Sequence, residues 1–108
     1  MKKATYPASV RVENMNDLIA LAKTAKYRGY KSDPTELNNL SASRAAFALV
    51  AYMDVVGRDT IEISVAELIA DLMHLCDASV GDNVDDIDPD DVVDIARMNY
   101  HHDLTGES

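Results

Sequence analysis

The fold is decided by residues 45–56, with the sequence AAFALVAYMDVV, in which Asp54 is the only charged residue. Large apolar side chains cover most of the circumference of a helix here: Phe47, Leu49, Val50, Met53, Val55 and Val56. A helix that is apolar nearly all round is usually buried, and this one is too short to span a bilayer. We therefore expect residues 45–56 to form the central helix of a small soluble bundle.

The chain has 108 residues, which corresponds to one domain with room for a single core. Nineteen acidic and ten basic residues give a net charge of -9. That charge repels nucleic acid and anionic membranes. We therefore expect no direct nucleic-acid partner and no membrane partner, whereas a basic protein partner is favoured.

Cysteine use and the amino terminus indicate the compartment. A single cysteine, Cys76, excludes an intramolecular disulfide and a cysteine zinc cluster. The first ten residues, MKKATYPASV, contain two lysines but no apolar run, so we expect no signal peptide. These observations predict a protein of the reducing cytoplasm.

Capping residues predict where the helices of the first half begin. Asn14 or Asn16 can cap a first helix that runs to about Tyr27. Asp33 followed by Pro34 starts a second helix, because aspartate caps well and proline suits the first helical position. This second helix either continues into residues 45–56 or is restarted at one of the intervening serines.

Gly57 is expected to end the central helix, and residues 60–63 (TIEI) alternate like a short strand that could pair with residues 10–12. Ser64 and Glu67 then form a capping box that opens a helix to about residue 78. The apolar stripe of this helix is expected to face the core: Val65, Leu68, Ile69, Leu72, Leu75 and Cys76.

Asp88 and Pro89 predict the start of the last helix, which is expected to fray near His102 and to turn Val92, Ile95 and Ala96 inward. The predicted fold is therefore all-α: a compact four- to five-helix bundle in a single domain, 1–108. It would have an amino-terminal arm, 1–13, and a flexible tail, 103–108. A minor β-hairpin remains an alternative for the arm.

Aspartates cluster between residues 82 and 94. Asp86, Asp88 and Asp90 match the first three ligand positions of a calcium loop, but Asp91 stands where the loop needs glycine and Arg97 where it needs glutamate. We therefore predict no metal or other cofactor here. The carboxylates instead predict an acidic face that meets a basic protein partner: Asp82, Asp85, Asp86, Asp88, Asp90, Asp91 and Asp94.

Residues 67–77, with the sequence ELIADLMHLCD, resemble the second metal helix of the all-α nucleoside triphosphate pyrophosphohydrolases of the MazG kind. The resemblance implies a magnesium-dependent hydrolase in which Glu67 and Asp71 carry over, with His74 as a further candidate ligand. Leu68 stands where that family has a carboxylate, and the family's first Glu-x-x-Glu helix is missing. Magnesium catalysis needs several converging carboxylates, so this enzyme is the alternative prediction.

A second resemblance covers residues 44–107 and is carried by LIADLMHLCD at residues 68–77, an acidic turn, and ARMNYH at residues 96–101. This pattern resembles short helical accessory proteins of phages and other mobile elements. It implies an accessory protein of a phage or prophage and assigns no catalytic residues. Together with the acidic face, it leads us to expect a non-enzymatic binding protein with a basic host or phage partner, one version being inhibition of a host nuclease or defence complex by charge mimicry. A homodimer is also open, with tyrosines as interface anchors.

Overall fold

The computed structural model describes residues 4–26, 33–80 and 87–106, which form four helices and, within those ranges, no strand. Helix α1 is Met15–Ala22, α2 is Pro34–Val56, α3 is Ile61–Ala78 and α4 is Pro89–Thr105. The all-α prediction is therefore confirmed, and the predicted β-hairpin is wrong for residues 10–12 and 60–63.

Three predicted helix starts are confirmed at the level of single hydrogen bonds. The Asn14 side chain accepts from the backbone N–H of residue 17 at the start of α1. Asp33 and Asp88 each accept from the N–H two residues further on, at 2.9 Å in both cases, with a proline at the next position. These contacts are local, because a short polar side chain satisfies a backbone donor that the helix leaves free.

Helix α2 is one continuous helix, so no serine restarts it. The Ser43 hydroxyl donates to the carbonyl oxygen of Leu40 at 2.7 Å, which keeps the hydroxyl satisfied inside the helix. Gly57 ends the helix with φ of 96°, a backbone conformation that residues other than glycine rarely adopt. The predicted end of the central helix is thus confirmed.

The start of α3 differs from the prediction. Thr60 caps the helix, with its hydroxyl oxygen accepting from the backbone N–H of Ile63 at 3.1 Å, so residues 61–63 are helical. Ser64 is therefore inside the helix and buried. Thr60 and Ser64 both fit the local pattern of a capping residue. Ile61, Ser64 and Leu68 are separated by three and four residues and so lie on one face of the helix.

The core lies mainly between α1 and α2. Among the described residues, its buried apolar members are Leu18, Ala22, Ala46, Leu49 and Met53, of which Met53 is the most buried at 1% exposure. Around them pack partly buried residues from the arm and from α1, α2 and α3: Val12, Met15, Leu21, Val50, Tyr52, Ile61 and Leu68. Helix α4 contributes no buried residue.

The expectation that residues 45–56 are hidden nearly all round is wrong for the outer half of that stretch. Phe47 is 64% exposed and Val55 is 85% exposed, whereas Ala46, Leu49 and Met53 are buried. The buried positions recur every three or four residues, so they form one stripe against α1. The outer stripe of α2 has no helix packed over it among the described residues.

Two adjacent asparagines of α2 tie down the amino-terminal arm. Asn38 donates from Nδ2 to the carbonyl oxygens of Tyr6, at 2.6 Å, and of Asp103, at 3.1 Å. Asn39 accepts from the N–H groups of Ser9 and Val10 at 2.7 and 3.3 Å.

Because α4 continues to Thr105, the predicted end near residue 102 was too early, and the first residues of the predicted tail are helical.

Within the described ranges, no single helix is long and apolar enough to cross a membrane. Taken together, Pro34–Val56 and Ile61–Ala78 are long and apolar enough to do so by length and composition, but the two helices are bent by 88° relative to each other.

Replacing Ser64 by alanine should stabilise the protein. The Ser64 side chain is 1% exposed, and its hydroxyl has no hydrogen-bond partner within the part of the chain that the structure describes. A buried unsatisfied polar group costs about 1–3 kcal/mol, and alanine favours a helix over serine by about 0.5 kcal/mol. We expect Ser64→Ala to raise the free energy of unfolding by about 1–2 kcal/mol in urea titrations.

Ser43→Ala is the matched control, because Ser43 is equally buried but donates to Leu40. That substitution loses a made hydrogen bond, so we expect no gain in the free energy of unfolding. An equal gain for both variants would contradict the assignment of an unsatisfied hydroxyl to Ser64.

Candidate functional site: the acidic side of α4 and the α3–α4 groove

The predicted acidic face lies only partly within the described residues. Asp82, Asp85 and Asp86 are outside them, while Asp88, Asp90, Asp91 and Asp94 are described and all exposed. Asp88 has a structural task, because its carboxylate accepts from the N–H of residue 90 as the cap of α4. The other three aspartates form what we call the acidic side of α4.

The carboxylates on the acidic side of α4 are stabilised by the helix dipole, and one of them is paired with a cation. Asp90 and Asp91 lie in the first turn, where the positive end of the helix dipole stabilises carboxylates. Asp94 accepts from Arg97 at 3.2 Å, and both side chains are largely exposed, so the pair contributes little to stability. Two of the three carboxylates therefore have no cation within ion-pair distance among the described residues, which leaves them available to a cationic partner.

The opposite side of α4 is apolar and faces α3. The angle between successive residues of a helix is about 100°, so Val92 lies about 200° from Asp94 around the axis. Between the two helices is a groove of about 370 Å³, the α3–α4 groove. Its lining residues are Ile69, Leu72, Met73, Cys76, Pro89, Val92, Val93, Ala96, Arg97 and Tyr100.

Sequence reasoning missed this groove, because it assigned five of the lining residues to the core: Ile69, Leu72, Cys76, Val92 and Ala96. Leu72 is 50% exposed and Leu75 is 59% exposed, although the stripe of α3 was expected to face inward. Val92 and Ile95 of α4 are likewise 41% and 53% exposed, and Ala96 is exposed as well. A helical stripe indicates that a face seeks apolar contact, but it does not say whether the contact lies within the chain.

The three metal candidates on α3 do not converge on a site. Glu67, Asp71 and His74 are all exposed, and the described residues contain no group of three histidine, cysteine or acidic side chains able to hold a metal ion. Asp71 instead accepts a hydrogen bond from the hydroxyl of Tyr52, which ties α3 to α2. The hydrolase alternative therefore gains no supporting geometry. In the run that resembles a calcium loop (Asp86, Asp88 and Asp90), Asp86 lies outside the described residues.

The Tyr52–Asp71 contact changes the acidity of the tyrosine. The hydrogen bond to Asp71, then desolvation, then the negative charges of Asp71 and Glu67 raise the pKa of Tyr52 from 10.0 to about 12. Each of these effects favours the neutral phenol over the phenolate. The hydroxyl is thus held protonated as a donor at all ordinary pH values.

This raised pKa predicts a loss of stability at alkaline pH. The unfolded chain releases the Tyr52 proton near pH 10, while the folded chain keeps it to about pH 12. The contribution of Tyr52 is therefore complete below pH 10 and lost as the pH rises towards 12. We expect the stability difference between the wild type and Tyr52→Phe to be constant below pH 10 and to shrink above it, measured by urea titration. A difference that is independent of pH up to 12 would contradict the contact.

No family model, no curated protein and no solved structure matches this chain.

Proposed function

We propose that this chain is a small non-enzymatic binding protein that engages a basic protein partner through the acidic side of α4. The single observation that carries the proposal is an exposed row of carboxylates, Asp90, Asp91 and Asp94, on a chain of net charge -9. Charged residues arranged in this way steer an oppositely charged partner to one face and set the rate of association.

The position of these carboxylates on a helix supports the proposal. Asp90 and Asp94 are four residues apart and so lie on one line along the helix, with Asp91 beside them. Asp90 and Asp91 are fixed in the first turn, so their ordering cost is smaller than for carboxylates on an unstructured chain. A regular row of negative charge can take the place of phosphates in a basic groove.

The biological setting that we propose is a phage or prophage protein acting in a reducing cytoplasm on a host or phage protein. Occupying the DNA-binding groove of a host nuclease or defence complex is the concrete version of this function. A groove that binds DNA carries clustered lysine and arginine side chains, and the acidic side of α4 is complementary to such a cluster.

The experiment uses the immobilised chain and a lysate of the candidate host, with the captured proteins identified by mass spectrometry. We expect basic proteins to be retained at about 0.1 M salt and released as the salt is raised, because screening lengths fall from about 10 Å to about 3 Å at 1 M. The variant Asp90→Asn/Asp91→Asn/Asp94→Asn should retain several-fold less of the same proteins.

The matched control is Glu13→Gln/Glu67→Gln/Asp77→Asn, which changes the net charge equally at three exposed carboxylates elsewhere. Circular dichroism verifies that both triple variants are folded. Equal losses in the two variants would show that only the net charge matters, and would overturn the assignment to the acidic side of α4.

A further inference from the structure

Residues 4–11 of the amino-terminal arm, which we call segment 4–11, lie on the surface of the molecule without helix or strand. All of these residues are exposed, and the arm first reaches the core cluster at Val12, which is partly buried. Segments with few buried apolar contacts and solvent-exposed backbone hydrogen bonds open at a lower free-energy cost than the core does. We therefore expect segment 4–11 to detach while the four helices stay folded.

One end of segment 4–11 is held by α2 and by the end of α4. Tyr6 donates its N–H to the carbonyl oxygen of Leu104 at 2.7 Å, and its own carbonyl oxygen accepts from Nδ2 of Asn38 at 2.6 Å. Both contacts use the backbone of Tyr6. Any residue except proline can make them at this position, because only proline lacks the N–H.

The other end of segment 4–11 is held by the side chain of Asn39, which offers an acceptor and two donor hydrogens. Its Oδ1 accepts from the N–H groups of Ser9, at 2.7 Å, and Val10, at 3.3 Å, and its Nδ2 donates to the Ser9 hydroxyl at 3.0 Å. Two of these three contacts again go to the backbone. Main-chain hydrogen bonds supply affinity for an added peptide segment, whatever its side chains are.

Open space lies on both sides of segment 4–11. A cavity of about 510 Å³ lies beside Pro7 and Ala8, between the arm, α2 and the end of α4. A second cavity, of about 300 Å³, lies beside Val10, between the arm, α1 and α2. Side chains larger than those of the arm would fit at these positions and would bury more apolar surface than the arm buries.

We propose that Asn38, Asn39 and the carbonyl oxygen of Leu104 form a binding site for a peptide segment without regular secondary structure, and that segment 4–11 occupies this site as an intramolecular competitor. A separate peptide binds when the arm has detached. The acidic side of α4 takes no part in this site, so the test of the proposed function and the test below have independent outcomes.

The ligand is recognised by its main chain, with one preference for a side chain. A bound peptide needs an N–H group at the places now held by Tyr6, Ser9 and Val10. It can have proline where the arm has Pro7, and a hydroxyl side chain in the place of Ser9 gains the contact with Nδ2 of Asn39.

Competition by the arm determines the affinity that a separate peptide shows. A tethered segment is present at an effective concentration in the millimolar range. The apparent affinity of a separate peptide is reduced by the fraction of chains in which the site is open. Any change that weakens the contacts of the arm should therefore strengthen binding of the peptide. A peptide that adheres elsewhere on the surface would not show this inverse relation.

The probe is the peptide ATYPASVR, which has the sequence of residues 4–11, acetylated and amidated to remove its terminal charges. The full-length variant Ser9→Pro lacks the N–H and the hydroxyl that contact Asn39, so its arm should leave the site. We expect this variant to bind the peptide about 10-fold more tightly than the wild type does, measured by titration calorimetry. The peptide that carries Ser9→Pro should bind the same variant about 10-fold more weakly than the unchanged peptide.

Ala8→Pro is the matched control. Ala8 is the neighbouring exposed residue, and its N–H makes no backbone hydrogen bond within the part of the chain that the structure describes. The full-length Ala8→Pro variant should bind the peptide with the affinity of the wild type, and circular dichroism verifies that both variants are folded.

A second measurement needs no substitution. The amide hydrogens of Tyr6, Ser9 and Val10 exchange with solvent when the arm is detached, so an excess of unlabelled peptide should speed their exchange several-fold by keeping the site occupied. The amide hydrogen of Met53, in the core, should exchange at the same rate with and without the peptide.

The proposal is overturned if the peptide binds Ser9→Pro no more tightly than the wild type, or if Ala8→Pro raises the affinity as much as Ser9→Pro does. Exchange rates of the Tyr6, Ser9 and Val10 amides that stay the same in excess peptide would overturn it as well.

Discussion

Met53→Ala should lower the free energy of unfolding by about 2–5 kcal/mol, the range seen when a large buried apolar side chain is cut to alanine. Met53 is 1% exposed and belongs to a core that has five buried apolar residues in the described part of the chain. In so small a core the neighbours on α1 and α2 have few ways to close the cavity, so we expect a loss near the upper end of the range. Urea titration measures this loss.

Phe47→Ala is the control for this prediction, since it removes a larger apolar side chain from the same helix. Phe47 is 64% exposed and has no place in the core cluster. Surface substitutions usually change stability by no more than about 0.5 kcal/mol, and we expect Phe47→Ala to fall in that range. If the two substitutions had equal effects, α2 would be buried on both sides, as the sequence alone had indicated.

Asn38→Asp should lower the free energy of unfolding by about 1–3 kcal/mol at neutral pH, the cost of leaving partly buried hydrogen-bonding groups unmatched. The Asn38 amide group donates to the carbonyl oxygens of Tyr6 and Asp103, and so joins the arm, α2 and the end of α4. An ionised aspartate has no proton to donate, and its charge would lie against two carbonyl oxygens.

The pH dependence of this variant provides the sharper test. Those two carbonyl oxygens disfavour the ionised form, so the pKa of the new carboxyl should be raised above the ordinary value of about 3.9. A protonated carboxyl can donate again, so part of the lost stability should return as the pH falls through that pKa. Asn38→Ala serves as the control, because it should lose stability without regaining any in acid. Parallel pH profiles of the two variants would contradict the role of Asn38 as a donor.

The local parts of the fold were predictable. Asp33 and Asp88 cap α2 and α4 as predicted, and Asn14, one of the two predicted candidates, caps α1. A cap is predictable because it is a contact between residues two or three positions apart. The start of α3 was not predictable in the same way. Thr60 and Ser64 both fit the local pattern, and the choice between them depends on burial of Ser64 by other parts of the chain.

The candidate site was also predictable only in part. The exposure of Asp90, Asp91 and Asp94 was predicted correctly, because an ionised carboxylate is costly to remove from water. The apolar residues of α3 and α4 were assigned to the core, yet Leu72 and Val92 line an open groove. The sequence does not distinguish a core position from a groove position, since an apolar stripe has the same spacing whether it packs within its own chain or against another molecule.

The sequence by itself determined that the chain is helical, where most of its helices begin, and that carboxylates dominate its outward charge. Those properties come from each residue and its near neighbours along the chain. Only the tertiary structure decided which stripe of α2 faces α1, and that α3 and α4 leave a groove between their apolar sides. Such choices depend on contacts between residues far apart in the chain, where several arrangements satisfy the same periodicity and packing selects one of them.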